Sequence, residues 1–293
     1  MKTVLIGNGY WGSKLARYIP EYFDIVYIAD SKFDRNIIWN SKDITSVIIA
    51  TPINTHYEIA KKALENGKHV FIEKPVTLKY EEAIELREIA RKNNLKIGVE
   101  YTQTFSPSIK KMISLLPNIG EVEYIEMSTK HLGRFMEYDV HWLLASHHLS
   151  ILDMIMDLDN FIFQFNNHVY NWNYEDICTT GSILFYNSIF HGRIDVSTNF
   201  PDKEMIINIY GENGTIKYNP YNFYSLSCTL YNKKYKALSD ELTQKETMYR
   251  FDEKNNLRYA IQYFYNLLND NEISDIDTAI KITKILERDL TYG

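Results

Sequence analysis

Lys74 is the residue of this sequence that best fits a proton-transfer role. It stands between Glu73 and Pro75, at the end of the predicted strand 69–72. An amine at such a strand end can accept a proton from a substrate or donate one in the reverse direction. Pro75 fixes the backbone that follows and favours an inward direction for the side chain. The alternative is a surface lysine that begins a loop.

His147 is the second candidate, in the predicted helix 142–156. Leu143, His147 and Ser150 share one helical face, and His147 is suited to act as a base or to orient a substrate hydroxyl. His148 projects about 100° away, so the two rings would not serve one atom. The alternative is a hydrogen-bonded structural histidine. A metal site at His141, His147 and His148 is not predicted, because no cysteine or carboxylate completes a recognisable spacing.

Three glycines with G-x-G-x-x-G spacing, Gly7, Gly9 and Gly12, follow the apolar strand 3–6 and precede a predicted helix at 13–19. In such a unit the first glycine permits the turn, the second lets a pyrophosphate approach the backbone, and the third lets the helix pack against the strand. Free N–H groups at the start of the helix then face the phosphates. A glycine-rich turn without a ligand is the alternative.

Asp30 ends the next apolar strand, 25–29, about 20 residues after the glycines. A carboxylate there accepts hydrogen bonds from the adenosine ribose and repels a 2′-phosphate, so NAD is predicted and NADP is less favoured. Lys32 moderates that preference. The positive ring of bound NAD⁺ would disfavour the ammonium form of Lys74 and lower its pKa.

Strands alternate with helices through about residue 100, which predicts a doubly wound parallel sheet. Ligands bind at the carboxyl ends of such strands, and Gly7, Asp30, Thr51, Glu73, Lys74 and Tyr101 all fall there. The residues predicted to bind the cofactor are Gly7, Asn8, Gly9, Tyr10, Trp11, Gly12, Asp30, Ser31, Thr51, Pro52, His56, Glu73 and Lys74.

After Gly120 most predicted strands have little helix between them, and alternating Phe161, Phe163 and Phe165 predict a half-buried sheet. The fold class is therefore a Rossmann α/β domain, residues 1–119, followed by an α+β domain with a largely antiparallel sheet, residues 120–293.

Composition narrows the class of protein. The formal net charge is −6 and no Lys/Arg cluster occurs, so nucleic acid is not an expected partner. No apolar run is long enough to cross a membrane, and the N-terminus does not resemble a signal peptide. Cys178 and Cys228 lack C-x-x-C spacing and are expected to be reduced thiols in a cytoplasmic protein.

These motifs resemble the Gfo/Idh/MocA oxidoreductases, a family named for glucose-fructose oxidoreductase and inositol dehydrogenase. The similarity rests on residues 7–12, Ala50-Thr51-Pro52 with His56, Glu73-Lys74-Pro75, the His147 helix and the turn 211–215. It implies reversible NAD(P)-linked oxidation of sugar hydroxyls, with Lys74 and His147 in the positions of the family's catalytic lysine and histidine. It also implies a homodimer or homotetramer that assembles through the C-terminal sheet.

Within the family, residues 9–12 and 139–152 are similar to members encoded with bacterial surface-polysaccharide genes, several of which act on nucleotide-linked sugars. Those relatives carry an acid one turn before the histidine and another right after it, where this chain has Leu143 and His148. The missing carboxylate removes a group that would fix the tautomer of His147. Asp139, Glu137 or His148 would replace it, or the chemistry is altered, or activity is lost.

The sequence thus predicts an NAD-dependent oxidoreductase whose small-molecule substrate is a sugar, nucleotide-linked by resemblance. Residues expected on the substrate side are Tyr101, Arg134, Trp142 and His148. Arg134 is the basic residue there that could pair with a carboxylate or diphosphate, or it is a solvated loop arginine. Two alternatives remain open: a reductase of a non-sugar carbonyl or imine, and a catalytically weak NAD-binding regulator or partner subunit.

Overall fold

Strands and helices alternate over the first hundred residues of the structure, a computed structural model that describes residues 1–133, 138–168, 177–231 and 244–289. The elements of this part are β1 (Lys2–Ile6), α1 (Tyr10–Leu15), β2 (Asp24–Ala29), α2 (Asn36–Asn40), β3 (Ile44–Ile49), α3 (His56–Glu65), β4 (His69–Glu73), α4 (Tyr80–Lys92) and β5 (Ile97–Glu100).

Strands dominate the rest of the chain, and a π-helical turn at His141–Ala145 leads directly into the helix Ser146–Ile155. In chain order the elements are α5 (Pro107–Leu115), β6 (Val122–Leu132), α6 (Ser146–Ile155), β7 (Ile162–His168), β8 (Thr180–Tyr186), β9 (His191–Ser197), β10 (Asn199–Gly211), β11 (Gly214–Tyr218), β12 (Leu226–Tyr231), β13 (Gln244–Tyr249), α7 (Asn256–Leu268) and α8 (Ile276–Asp289).

The chain forms two compact units, Met1–Phe105 with Asn255–Gly293, and Ser106–Lys254. The predicted boundary lay after residue 119. In the structure the second unit begins earlier, at Ser106, and the residues after Lys254 belong to the first unit. Helix α7 returns to the first unit because its apolar face, including Ile261 and Phe264, packs into one core cluster with β-strand residues such as Phe71. Helix α5 packs against β11 and β12 and so belongs to the second unit.

Unit 1 is built on a five-stranded sheet in the order β2-β1-β3-β4-β5. Every neighbouring pair is parallel, which confirms the predicted Rossmann class. The central strands are apolar and fully buried, as strands with both faces covered must be; Val4, Leu5, Val47 and Ile48 are 0% exposed. All five strands consequently end at one edge of the sheet, where the predicted cofactor residues lie.

Unit 2 contains an eight-stranded sheet in the order β13-β12-β11-β10-β6-β9-β8-β7. Its strand pairs are antiparallel except β6 with β9, so the predicted largely antiparallel sheet is confirmed. Strand β13 was not predicted, because its polar sequence Gln-Lys-Glu-Thr carries little strand propensity and its side chains are mostly exposed. None of the helices among the described residues is long and apolar enough to cross a membrane.

Candidate functional site

The glycine loop between β1 and α1 has the backbone conformation that its sequence predicts. Gly7 adopts φ +102°, and a Cβ at this position would overlap the carbonyl of Ala50. A Cβ at the buried Gly12 would overlap the carbonyl oxygen of Gly7, so only glycine lets α1 approach the strand this closely. Helix α1 begins at Tyr10, three residues before the predicted start.

Gly9 differs from Gly7 and Gly12 because nothing lies within 4 Å of the position that its Cβ would occupy. The loop residues Asn8, Gly9, Tyr10 and Trp11 are all exposed. Open space beside a side-chain-free backbone is what the approach of a pyrophosphate requires. The loop therefore fits the phosphate portion of a dinucleotide.

Asp30 lies at the carboxyl end of edge strand β2, exposed to solvent. Its Oδ1 accepts a hydrogen bond of 2.8 Å from the backbone N–H of Lys32, which fixes the carboxylate at the sheet edge. Ser31, next to it, is also exposed. Both side chains are therefore accessible at the carboxyl end of β2.

His56 has a different position from the one predicted, since it is fully buried instead of lining the cofactor crevice. Its Nδ1 lies 2.8 Å from the carbonyl oxygen of Pro75, and its Nε2 lies 3.0 Å from that of Thr51. Burial lowers the pKa of His56, and the nearby Lys74 lowers it further. The ring thus links the loop after β3 to the turn after β4, and it positions the turn that carries Lys74.

Thr51 and Pro52 lie in the loop that His56 anchors. The Thr55 hydroxyl donates to Pro52 O at 2.7 Å and lies 2.8 Å from the Thr51 hydroxyl. Both Thr51 and Pro52 remain partly or fully exposed at the strand ends, as a cofactor contact requires.

Lys74 stands at the end of β4 beside two buried carboxyl groups. Strands β4 and β5 pair in a register that sets Glu73 directly beside Glu100, and both side chains are at most 8% exposed. Burial lowers the pKa of Lys74 to about 8, although the two carboxyl groups oppose that shift. At neutral pH the amine is therefore poised to exchange a proton.

Glu100 is a site residue that the sequence analysis missed in favour of its neighbour Tyr101. Burial raises the pKa of Glu100 to about 7, against a hydrogen bond of 2.8 Å from the Thr102 hydroxyl. Burial and repulsion from Glu100 raise the pKa of Glu73 well above its usual range. The position of Glu100 at the end of a predicted strand was the signal that could have identified it.

Asp275 continues this group of buried acids, and nothing local in the sequence could have indicated it. Its Oδ1 accepts the backbone N–H of Val99 at 2.8 Å, which ties the start of α8 to β5. Burial raises its pKa to about 7, and the charge of Glu100 adds to the shift.

His147 lies half-buried on α6 in unit 2, where its predicted helix is confirmed. Of the groups proposed to replace the missing acid, Asp139 accepts the backbone N–H of His141 at 2.8 Å, with the same oxygen 3.1 Å from His141 Nδ1. His148 Nε2 lies 2.8 Å from the Thr129 hydroxyl. Glu137 lies outside the described residues.

His148 was predicted to contact the substrate, and its position does not suit that role. It is 0% exposed, and burial lowers its pKa to about 4, so it is a neutral core residue joined to β6. Trp142 and Tyr101 are also buried, at 3% and 1% exposure. Arg134 lies outside the described residues.

Comparison with known proteins finds a family match within unit 1. Residues 15–101 match the Gfo/Idh/MocA family model, described as "Oxidoreductase family, NAD-binding Rossmann fold". The matched residues lie in the Rossmann part of the chain, and the match supports the family that the sequence resembles.

Individual relatives support the same assignment. An "Uncharacterized oxidoreductase" of Streptococcus pneumoniae is 29% identical over 144 residues, 42% of this chain. The match covers 39% of that relative's own length. The chain thus aligns with less than half of this relative.

Solved structures share the fold of nearly the whole chain. The UDP-N-acetylglucosamine 3-dehydrogenase GnnA from Acidithiobacillus ferrooxidans superposes with a TM-score of 0.83 at 17% identity, covering 97% of this chain and 94% of that one. GenD2 from gentamicin A biosynthesis, solved in complex with NAD, gives a TM-score of 0.81 at 16% identity and covers 98% and 92%. At these identities the likeness concerns the fold alone.

Proposed function

We propose that the protein is an NAD-dependent oxidoreductase that transfers a hydride between a sugar hydroxyl or ketone and the nicotinamide, with a nucleotide-linked sugar as substrate. The observation that carries this proposal is the placement of Lys74, a half-buried amine of lowered pKa at the strand edge that also carries the glycine loop and Asp30. The name of GnnA, a UDP-N-acetylglucosamine 3-dehydrogenase, supports the substrate class, and the NAD bound to GenD2 supports the cofactor.

Different residues of the chain would bind the cofactor and transfer the proton. The backbone at Gly9 would receive the pyrophosphate, and Asp30 would accept hydrogen bonds from the ribose. When bound, NAD supplies the acceptor or donor of the hydride. The amine of Lys74 takes the hydroxyl proton during oxidation and returns it during reduction. By resemblance, His147 assists as a second base.

The cofactor preference follows from charge. The Asp30 carboxylate, exposed at the end of β2, would lie close to a 2′-phosphate and repel it. Lys32, which is also exposed, limits this effect. We therefore propose NAD as the cofactor in preference to NADP.

We also propose a homodimer or homotetramer that assembles through the sheet of unit 2. Large apolar side chains stand exposed on that unit, including Phe223 at 64% and Met248 at 52%. Exposed apolar surface of this kind commonly marks an interface between subunits. A cytoplasmic setting accords with the two free, buried thiols.

The test is NADH formation, followed by absorbance, when the purified protein and NAD⁺ are mixed with a panel of UDP- and dTDP-sugars and, separately, with non-sugar alcohols and amines. A signal with one of these sugars supports the proposal and identifies the substrate class. A signal with non-sugar alcohols or amines alone would favour the second candidate, a reductase of another carbonyl or imine. NADH binding without turnover on any substrate would favour a regulatory role, to which Leu143 in place of an acid points.

A further inference from the structure

A cluster of three potential metal ligands lies in unit 2. The sequence spacing gave no reason to expect a metal, because no cysteine or carboxylate stands near His141 in a recognised pattern. The fold nevertheless brings Asp139, His141 and Cys178 together. One ligand atom from each lies within 4.8 Å of the other two.

The backbone holds the two segments that supply these ligands in register. Val140 donates its N–H to the carbonyl oxygen of Cys178 at 2.9 Å, which joins the segment of Asp139 and His141 to that of the cysteine. Thr179 is fixed in turn, since Thr198 N–H donates to its carbonyl at 2.9 Å and Asn199 Nδ2 donates to its hydroxyl at 2.7 Å. These bonds tie Thr179, next to Cys178, to Thr198 and to the start of β10.

The cluster is mostly shielded from solvent. The His141 side chain is 1% exposed, that of Asp139 is 18% exposed, and Cys178 is 4% exposed. Asp139 thus forms the side of the cluster that solvent, and an incoming ion, can reach. A thiol and an imidazole held this far from water are protected from competing ligands.

We propose that Asp139, His141 and Cys178 form a binding site for a transition-metal ion, with Zn²⁺ as the preferred occupant. Thiolate, imidazole and carboxylate are all established Zn²⁺ ligands, at bond lengths of roughly 2.0–2.3 Å. Such bonds place ligand atoms about 3.3–3.8 Å apart in a tetrahedron. Small side-chain adjustments would bring the three ligand atoms, which lie within 4.8 Å of one another, to these distances. Mg²⁺ and Ca²⁺ prefer all-oxygen ligands and do not fit a thiol.

Charge and proton balance also suit a divalent ion. The Cys178 thiol now donates to the carbonyl oxygen of Thr180 at 3.3 Å, and the imidazole of His141 faces the Asp139 carboxylate. Binding releases the thiol proton to solvent, and the resulting thiolate and carboxylate together neutralise the ion. Water completes the tetrahedron, since the described residues supply three ligands.

The experiment uses the untagged full-length chain, treated with a chelator, kept reduced and titrated with Co²⁺. We expect about one equivalent to bind, with the near-ultraviolet charge-transfer band of a thiolate-bound cobalt, and Zn²⁺ to displace it. Cys178→Ser removes that band and weakens binding by about tenfold or more. The matched control is Cys228→Ser, the other buried free cysteine, which leaves both unchanged.

Asp139→Asn is the second variant, because its amide oxygen keeps the hydrogen bond from the backbone N–H of His141 but is a poor metal ligand. It should weaken Co²⁺ binding while its far-ultraviolet circular dichroism stays native, which settles the matter if Cys178→Ser does not fold. No charge-transfer band in the unmodified chain, or a band that persists in Cys178→Ser, overturns the proposal. The cluster would then be a buried, hydrogen-bonded histidine beside an inert thiol.

Discussion

The amine of Lys74 is the group on which the proposed chemistry depends, and its pKa sets the expected pH dependence. Only the neutral amine accepts a proton, and burial lowers the pKa of Lys74 to about 8. The rate of sugar oxidation should therefore rise with pH through about 8 and level off above it, while reduction of the ketone falls over the same interval. Steady-state rates between pH 6 and 10 check this, and a flat profile would contradict it.

Asp30 should determine which cofactor binds. Replacing it by alanine removes the carboxylate that repels a 2′-phosphate, so the preference for NAD over NADP should shrink by about tenfold. The measurement is fluorescence titration of NADH and NADPH binding. Asp34→Ala, an exposed acid nearby, is the control and should keep the wild-type ratio. An unchanged ratio in Asp30→Ala would remove Asp30 from the cofactor site.

At the scale of elements, two glycines in the turn from β1 to α1 allow an effect on cofactor binding to be distinguished from an effect on stability. Gly9→Ala places a methyl group in open space, so the melting temperature should stay near wild type while NADH affinity falls by about tenfold. Gly12→Ala instead forces a Cβ against the Gly7 carbonyl and should lower the melting temperature as well. Thermal unfolding and NADH titration of both variants provide the check. Wild-type NADH affinity in Gly9→Ala would show that no pyrophosphate lies there.

The pairing of β4 with β5 makes stability depend on pH through Glu100. Its pKa is about 7 when folded and about 4.5 when unfolded, so the folded state binds more protons between these values. Stability from this group is therefore present at low pH and is lost as pH rises from about 4.5 to 7. Glu100→Gln does not titrate, and its melting temperature relative to wild type should increase from pH 5 to pH 8.

The control for Glu100→Gln is Glu81→Gln, an exposed acid in the first turn of α4. Its difference from wild type should stay constant over the same pH range. If the difference for Glu100→Gln also stays constant, the pKa of Glu100 is not raised in the folded protein as its burial implies.

How far the sequence alone predicted these elements depends on the range of the interactions involved. The parallel sheet, the glycine turn and Lys74 at a strand end follow from local periodicity and spacing, and the described structure has them where they were expected. Asp275 could not be predicted, because it reaches Val99 across most of the chain. His56 was predicted to contact the cofactor through the family resemblance, whereas its ring is buried between two carbonyl groups.

The same limit applies to the metal cluster and to the division of the chain. Cys178 lies far from Asp139 and His141 in the sequence, so no spacing rule could place it beside them. The packing of α7 into unit 1 likewise depends on tertiary contacts of apolar residues such as Phe264. The helical pattern of these residues does not show which element they pack against. Periodicity shows which face of an element is buried, but not what buries it.

For the whole molecule, the central claim is that Lys74 moves the proton in an NAD-dependent oxidation. The measurement that tests it most directly is turnover and NADH binding of Lys74→Ala, with Lys62→Ala, an exposed lysine on α3, as control. The account predicts that Lys74→Ala binds NADH like wild type and loses turnover by about a hundredfold or more, while Lys62→Ala keeps both. Normal turnover in Lys74→Ala would contradict it.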